Sequence, residues 1–263
     1  MVTVLYDVVI IGGGPAGLSA AIYAARKVLK TLLISKDLGG QVTWTYDVDN
    51  YLGFSQIETG DLIAKFEEHV EKYSVEKLIG PGVKVLELAG KTKKVITEDG
   101  DTYLTKTVII ATGKRPRLLD VPGEKELLGM GVTYCSTCDA PLFADLSSSK
   151  VEIFAEHEIL RITGDSSVDG LEIKSLKTGE ARRLSIAGII VEIGLLPNSE
   201  LVIDTLETNK IGEIVVDSRC RTGISGVFAC GDITDIPFKQ VVVAAGEGAK
   251  AALSAYDYII SQR

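Results

Sequence analysis

Two cysteines at positions 135 and 138, followed directly by an aspartate, are the residues of this sequence best suited to redox chemistry. A C-x-x-C pair can close a small disulfide. In such a pair one thiol often has a depressed pKa, which makes it a nucleophilic thiolate at neutral pH. Asp139 is placed to carry a proton to or from a leaving thiolate. The pattern predicts dithiol–disulfide exchange at Cys135 and Cys138, with Cys220 and Cys230 as small buried apolar residues.

The other uses of such a pair, a structural disulfide or half of a zinc site, have less support in the sequence. No second C-x-x-C or C-x-x-H motif is present to complete a zinc site. Four cysteines in 263 residues are too few for a secreted disulfide scaffold, so we expect a redox-active pair in a cytoplasmic protein. We therefore expect no bound metal.

Composition narrows the class of partner. The chain is 46% hydrophobic and 24% charged, which is typical of one large globular domain or two smaller ones. Its formal net charge of −8 gives no counterion-release affinity for nucleic acid or anionic lipid, so we expect neither as a partner. Four residues, Gly12–Pro15, interrupt the apolar run near the N-terminus, which predicts neither a signal peptide nor a membrane span.

A glycine-rich loop lies between a predicted strand and a predicted helix. The apolar run Leu5–Ile11 indicates a buried parallel strand, and Leu18–Arg26 continues as a helix. The intervening Gly12–Gly17 matches G-x-G-x-x-G, in which the glycines allow a tight turn, close approach to a pyrophosphate, and close helix packing. A second strand at Thr31–Ser35 supplies the context that this motif requires. The segment predicts a dinucleotide-binding unit.

The end of that second strand departs from the usual pattern. The ribose-binding position normally carries Glu or Asp, and here it is Ser35. Either Asp37, two residues further on, substitutes for it, or the ribose contact is weaker.

The remaining pattern alternates helices and strands, as an α/β fold requires. Apolar spacing predicts one helix over residues 60–73 and another from about 240 to 260. Strands are expected at 83–88, 93–98, 102–105, 108–113, 151–162, 170–174, 184–194, 212–216 and 227–229.

Several motifs together carry a family resemblance. They are Gly12–Gly17, Gly39–Gln41, Asn50, Ala111–Gly113, Cys135–Asp139, Gly231–Asp232, Phe238–Val241 and Ala244–Ala249. On these residues the chain resembles the low-molecular-weight thioredoxin reductases, flavoproteins with two dinucleotide-binding domains. The resemblance implies a Rossmann-like FAD-binding domain, with a parallel sheet, helices and a β meander, at 1–117 and 195–263. A truncated β-rich second domain would occupy 118–194.

The resemblance also implies a cofactor site. In the family the first glycine loop holds the FAD pyrophosphate, the Ala-Thr-Gly strand end lies along the flavin, and the Asp of the Gly-Asp motif approaches the ribityl chain. The Gln-Val segment then meets the isoalloxazine ring. Carried over, the FAD-binding residues are Gly12, Gly14, Ala16, Gly17, Gln41, Asn50, Thr112, Gly113, Gly231, Asp232, Gln240 and Val241.

One part of the family pattern is missing. No second G-x-G-x-x-G or G-x-G-x-x-A loop follows a predicted strand, because the one further match, Gly246–Ala251, lies within the helix expected from about 240 to 260. No basic cluster for an NADPH phosphate occurs either, and a βαβ unit needs about thirty residues or more. Ser147–Ser149 lies where that unit would begin. The gap is either an engineered excision, which we favour, or the mark of a natural reductase fed by something other than NADPH. Use of NADPH is thus in doubt.

The resemblance implies that reduced flavin passes electrons to the cysteine pair. Cys138 would be the flavin-side sulfur, Cys135 would attack a substrate disulfide such as that of thioredoxin, and Asp139 would protonate the leaving thiolate. A homodimer is expected through the FAD domains. The alternatives are a flavin-binding module without NADPH-driven turnover, and a reductase fed by ferredoxin or free reduced flavin.

Overall fold

A computed structural model of the chain describes residues 4–134 and 152–262. The helices, numbered along the chain, are α1 (Pro15–Arg26), α2 (Thr59–Glu71) and α3 (Val241–Ser261), and short 3-10 turns cover Gly40–Trp44 and Gly231–Ile233. The strands are β1 (Leu5–Gly13), β2 (Thr31–Leu38), β3 (Asp47–Val48), β4 (Ile57–Glu58), β5 (Val75–Ile79), β6 (Val83–Glu87), β7 (Lys93–Thr97), β8 (Thr102–Ile110), β9 (Lys114–Pro116), β10 (Val132–Thr133), β11 (His157–Thr163), β12 (Gly170–Ser175), β13 (Ala181–Ser185), β14 (Ile189–Ile190), β15 (Leu195–Pro197) and β16 (Val227–Ala229).

The centre of the fold is a mixed sheet with the order β5-β2-β1-β8-β7-β6. β5, β2, β1 and β8 are parallel, and β16 also pairs in parallel with the second half of β8. The first half of β8 pairs antiparallel with β7, which pairs with β6 to complete a meander. This arrangement confirms the predicted α/β fold of Rossmann-like type.

Both faces of the sheet are covered, which explains the continuous apolar run in β1. Val8 and Ile10 face the cluster that contains α1 and α3, whereas Val9 and Ile11 face a second cluster that includes Val202, Leu206 and Ile214. All four β1 side chains are at most 4% exposed. The centre of the sheet is therefore covered on both faces and positions the loops that follow its strands.

Helices α1 and α3 pack closely against each other through small residues. A Cβ atom on Gly248 would lie 1.9 Å from the Ala16 carbonyl oxygen, so the two backbones meet at this point. Ala20 and Ala252 are fully buried in the same cluster. No helix within the described residues has both the length and the apolar character needed to cross a membrane.

A smaller β-rich part follows the central sheet. It contains the antiparallel sheet β11-β12-β13 and the parallel pair β10-β14, packed around their own cluster of buried residues. Strands β9 and β15 pair antiparallel, with Arg115 opposite Leu196, and lie where the chain leaves and re-enters the larger part. The cluster consists of Leu127, Val132, Ile162, Val168 and Val191.

Some predicted strand limits are wrong. The strands expected at 102–105 and 108–113 form the single strand β8, because β1 pairs along almost its whole length. The expected strand 184–194 is broken between β13 and β14, which pair with different neighbours. The expected strand 212–216 contains only isolated bridges at Ile214, and β11 begins at His157, later than predicted.

Candidate functional site

The glycine loop after β1 has the geometry that its spacing predicts. Gly12 has φ +111, and a Cβ there would lie 2.3 Å from the Ala111 carbonyl oxygen. A Cβ on Gly17 would lie 1.8 Å from the Gly12 carbonyl oxygen. Gly14 differs, because its nearest neighbour is the Gly39 carbonyl oxygen at 3.9 Å. Two glycines therefore pack against protein, while Gly14 leaves an open side next to the N-terminus of α1, which fits a pyrophosphate.

Ser35 holds this loop in place. The Gly13 N–H donates to the Ser35 hydroxyl oxygen at 2.7 Å in a buried position. A Cβ on Gly13 would lie 2.5 Å from the Asp37 carbonyl oxygen, so β2 lies directly against the loop, and the Asp37 side chain is exposed. The serine at the usual acidic position thus has a structural contact with the glycine loop, which its chain position alone did not indicate.

Asp232, Gln41 and Gly113 lie together although they are far apart in sequence. The Gln41 side-chain amide donates to Asp232 at 3.1 Å, and a Cβ on Gly113 would lie 3.7 Å from the same amide nitrogen. Burial raises the pKa of Asp232, while Lys239, the Gln41 hydrogen bond and Lys114 act in the opposite direction. The group joins three segments on which the predicted cofactor residues lie.

The backbone of the Ala-Thr-Gly strand end is fixed by Asn198. The Thr112 hydroxyl donates to the Asn198 carbonyl oxygen at 2.9 Å, and the Asn198 side-chain amide donates to the Thr112 carbonyl oxygen at 2.8 Å. The Asn198 N–H also donates to the Gly113 carbonyl oxygen at 3.0 Å. Asn198 is a positioning residue that the sequence patterns did not single out.

The start of α3 completes the group of predicted cofactor residues. The Asn50 side-chain amide donates to the Gln240 side-chain oxygen at 3.2 Å. Val241 packs against the buried cluster that contains Val42 and Leu62. The N-terminus of α3 therefore faces the loops at residues 41 and 50, where its positive dipole end favours a nearby negative charge.

The contact between α1 and α3 also includes the Gly-Asp motif. A Cβ on Gly231 would lie 2.8 Å from the Ala16 Cβ, and Gly231 has φ +75. Ala16 therefore lies between Gly231 and Gly248. The structure brings the predicted FAD-binding residues together at the edge of the sheet.

A buried cluster of charges lies beside these residues, and its pairing was not anticipated from the sequence. The Lys114 ammonium lies 2.5 Å from a Glu213 carboxylate oxygen, and Lys239 lies 3.0 Å from the same oxygen. Asn209 donates to the other oxygen at 2.5 Å. Burial acts to raise the pKa of Glu213, but the hydrogen bonds from Lys114, Asn209 and Lys239 outweigh it and hold that pKa below its usual value. Burial lowers the pKa of Lys239.

A cleft of about 330 Å³ separates the smaller β-rich part from the start of α3. Tyr134, the residue that directly precedes Cys135 in the sequence, lines this cleft together with Lys239 and Gln240. Cys135, Cys138 and Asp139 themselves lie outside the described residues. The other lining residues are Pro116, Val191, Glu192, Gly194, Leu195, Pro237 and Phe238.

Glu124 anchors the segment that leads to Cys135. The residue is 1% exposed, and its carboxylate accepts hydrogen bonds from the Leu119 N–H, the Asp120 N–H and the Tyr134 hydroxyl, each at 2.8 Å. Burial and the bond to Glu124 raise the pKa of Tyr134 above its usual range. The Val191 N–H, just after β14, donates to the Thr133 carbonyl oxygen at 2.8 Å and so connects the same segment to β14.

The cysteines outside the C-x-x-C motif are buried and free. Cys220 donates to a Glu247 carboxylate oxygen at 3.1 Å, and burial is the main cause that raises its pKa above the usual range. Burial has the same effect on the pKa of Cys230. The interpretation of both as small buried residues is confirmed.

Comparison with known proteins gives the family. The family described as pyridine nucleotide-disulphide oxidoreductase matches residues 6–151 and 142–248. The chain belongs to this family. It is 36% identical to alkyl hydroperoxide reductase F of Escherichia coli K12 over 97% of its own length, and it spans 58% of the length of that relative.

Solved structures of thioredoxin reductases have the same fold. The enzyme from Streptococcus pyogenes MGAS5005 superposes with a TM-score of 0.90 and 32% identity, covering 98% of this chain and 99% of that one. A ferredoxin-flavin thioredoxin reductase from Clostridium acetobutylicum gives a TM-score of 0.64 and 30% identity, with 99% of each chain covered. The predicted family resemblance is confirmed.

Proposed function

We propose that the chain is an FAD-dependent dithiol–disulfide oxidoreductase of thioredoxin reductase type. The observation that carries the proposal is the cleft that is lined both by Tyr134, which precedes Cys135 in the sequence, and by Gln240 at the start of α3. In this proposal a cofactor ring that meets Gln240 exchanges electrons with the cysteine pair. Bound FAD supplies the two-electron chemistry that links a reductant to a disulfide.

The residues present fit this cofactor. The open side of Gly14 and the N-terminus of α1 would hold the pyrophosphate, and Asp232 would accept a hydrogen bond from the ribityl chain. Gln240 and Val241 would meet the ring system. The dipole of α3 would favour negative charge there.

The cysteine pair performs the exchange with substrate in this proposal. The Cys135 thiolate attacks the substrate disulfide, which forms a mixed disulfide and releases one substrate thiolate. Asp139 protonates that leaving thiolate. Cys138 then attacks the mixed disulfide, so the second substrate thiol leaves and the pair becomes a disulfide.

We further propose that the FAD-binding domain is discontinuous, at 1–117 and 195–263, and that 118–194 is a reduced form of the family's NADPH domain. Two findings support a missing nucleotide-binding half. The family matches the chain in two segments, and these overlap at residues 142–151, which include the serine run. The alignment with the E. coli relative extends over 304 positions, more than the 263 residues of this chain.

The proposed loss of the nucleotide-binding half limits which electron donors the chain could use. A chain without the nucleotide-binding half would not accept hydride from NADPH, which leaves a flavin-binding module without NADPH-driven turnover as the second candidate. A third candidate, in which ferredoxin or free reduced flavin is the donor, has a precedent in the ferredoxin-flavin thioredoxin reductase to which the chain is similar. We propose a thioredoxin-like protein or a peroxiredoxin as the disulfide partner, and a cytoplasmic homodimer as the working form.

An anaerobic titration tests the proposal. The purified chain, with FAD bound, is treated in separate samples with dithiothreitol, NADPH, chemically reduced ferredoxin and dithionite while the visible flavin absorbance is followed. Dithiothreitol should bleach the flavin through the cysteine pair, and NADPH should not. The substitution Cys138→Ser should abolish the response to dithiothreitol.

Cys220→Ser is the matched control, because Cys220 is buried and lies outside the motif. It should leave the response to dithiothreitol unchanged. Bleaching by dithionite but not by dithiothreitol would support the flavin-binding module instead. Rapid bleaching by NADPH would contradict the missing nucleotide half.

A further inference from the structure

The buried cluster of Lys114, Glu213 and Lys239 has no role in the chemistry proposed above. The Lys114 side chain is 5% exposed, that of Glu213 is 9% exposed, and that of Lys239 is 17% exposed. Burying charges is costly, and replacing such a group by apolar residues is often neutral or stabilising. Three charged groups in one buried cluster therefore call for an explanation beyond stability.

Each lysine directly adjoins a predicted cofactor residue. Lys114 follows Gly113 at the end of the Ala-Thr-Gly segment, and Lys239 precedes Gln240 at the start of α3. Glu213 comes from a third segment and holds both ammonium groups through one oxygen. The cluster thus fixes two cations on the segments expected to lie along the flavin.

All three charges of the cluster act on a carboxyl of the predicted cofactor site. Lys239 and Lys114 act to lower the pKa of Asp232, whereas burial, which dominates, and Glu213 act to raise it. Asp232 is the carboxyl expected beside the ribityl chain, so a negative charge that develops on the nearby ring would feel the same two cations. Charge near the ring is one of the means by which a protein tunes a flavin.

We propose that Lys114 and Lys239, held by Glu213, are electrostatic positioning residues that favour the anionic, reduced form of the flavin and so raise its reduction potential. The inference rests on the proposed binding of FAD. Glu213 has two effects in this arrangement: it orients the cations, and its own charge partly offsets them. Removal of a lysine and removal of the Glu213 charge should therefore shift the flavin in opposite directions.

Sulfite affinity of the oxidised flavin tests the inference without any measurement of turnover. Sulfite adds reversibly to the oxidised ring and leaves negative charge on it, so nearby cations strengthen the adduct. Lys114→Met and Lys239→Met should each weaken sulfite binding by about tenfold. A unit charge roughly 10 Å away has an effect of this size at an effective dielectric constant of about 20. Glu213→Gln should strengthen sulfite binding several-fold.

The variants that weaken sulfite binding should also lower the reduction potential of the flavin, which dye equilibration measures. A tenfold change corresponds to about 30 mV for a two-electron couple. Lys114→Arg keeps the charge and should restore the parent sulfite affinity. Lys106→Met is the matched control, because Lys106 is a partly exposed lysine that pairs with Asp7 at 2.6 Å, outside the cluster.

The outcomes separate a charge effect from a merely structural one. Shifts of Lys114→Met and Glu213→Gln in the same direction, or shifts no larger than that of Lys106→Met, would overturn the inference. If Lys114→Met does not fold, Lys239→Met and Glu213→Gln still decide the sign. A parent chain that binds no FAD would instead refute the proposed function itself.

Discussion

The contact between α1 and α3 makes a sharp prediction for Gly248. A Cβ at this position would lie 1.9 Å from the carbonyl oxygen, 2.8 Å from the carbonyl carbon and 3.0 Å from the Cα of Ala16. All three are backbone atoms, which no side-chain rotation can move aside. Gly248→Ala therefore forces the two helices apart.

The stability lost through this clash is partly offset by a gain in helix propensity. Overpacking of a tight site costs about 1–3 kcal/mol, and a clash with backbone belongs at the upper end. Replacing glycine by alanine inside a helix recovers about 1 kcal/mol of helix propensity. We expect a net loss of about 2 kcal/mol in the free energy of unfolding. We also expect weaker FAD binding, because Ala16 lies in the first turn of α1, next to the glycine loop proposed to hold the pyrophosphate.

Gly246 is the matched control, two residues earlier on the same helix. A Cβ there meets nothing within 4 Å, so Gly246→Ala should gain up to about 1 kcal/mol through propensity alone. Urea unfolding of both variants with excess FAD, and the FAD that each retains after gel filtration, give the comparison. A Gly248→Ala protein as stable as the parent would refute the close contact between α1 and α3.

Three further predictions concern buried polar groups. Ser35→Ala removes the buried acceptor of the Gly13 N–H, so we expect a loss of about 1–3 kcal/mol in urea unfolding and weaker FAD binding; unchanged values would show that the hydroxyl does not hold the loop. Glu124→Gln should destabilise the chain by about 1–3 kcal/mol in the same assay, more than Tyr134→Phe, because the carboxylate also accepts hydrogen bonds from two backbone N–H groups. Equal losses of stability in the two variants would contradict the contribution of those two bonds. Burial raises the pKa of Cys220, so in a variant without the C-x-x-C pair this thiol should react with an aromatic disulfide reagent at pH 8 only after the protein is unfolded. Labelling of the native form would show that this thiol is accessible.

Features set by short stretches of chain were predictable. The apolar run that becomes β1 and the glycine spacing that follows it both depend on local geometry, and the structure places Gly12 and Gly17 where only glycine fits. The helix expected over residues 60–73 is α2, with its limits shifted by one or two residues.

Features set by pairing partners were less predictable. β5 was not anticipated, because the sequence of Val75–Ile79 mixes apolar and charged residues; it forms at the edge of the sheet through pairing with β2. The break between β13 and β14 likewise depends on which strand lies alongside each of them. A strand's length is thus decided by its neighbours as well as by its own residues.

The sequence by itself determined the family, the glycine loop and the C-x-x-C pair, because each depends on residue types at close spacing. Only the tertiary structure decided that Lys114 meets Glu213 across 99 residues, that Gln41 meets Asp232, and that Tyr134 and Gln240 line one cleft. The physical reason is that these contacts depend on how distant segments close around the sheet. Local periodicity and spacing carry no information about that closure.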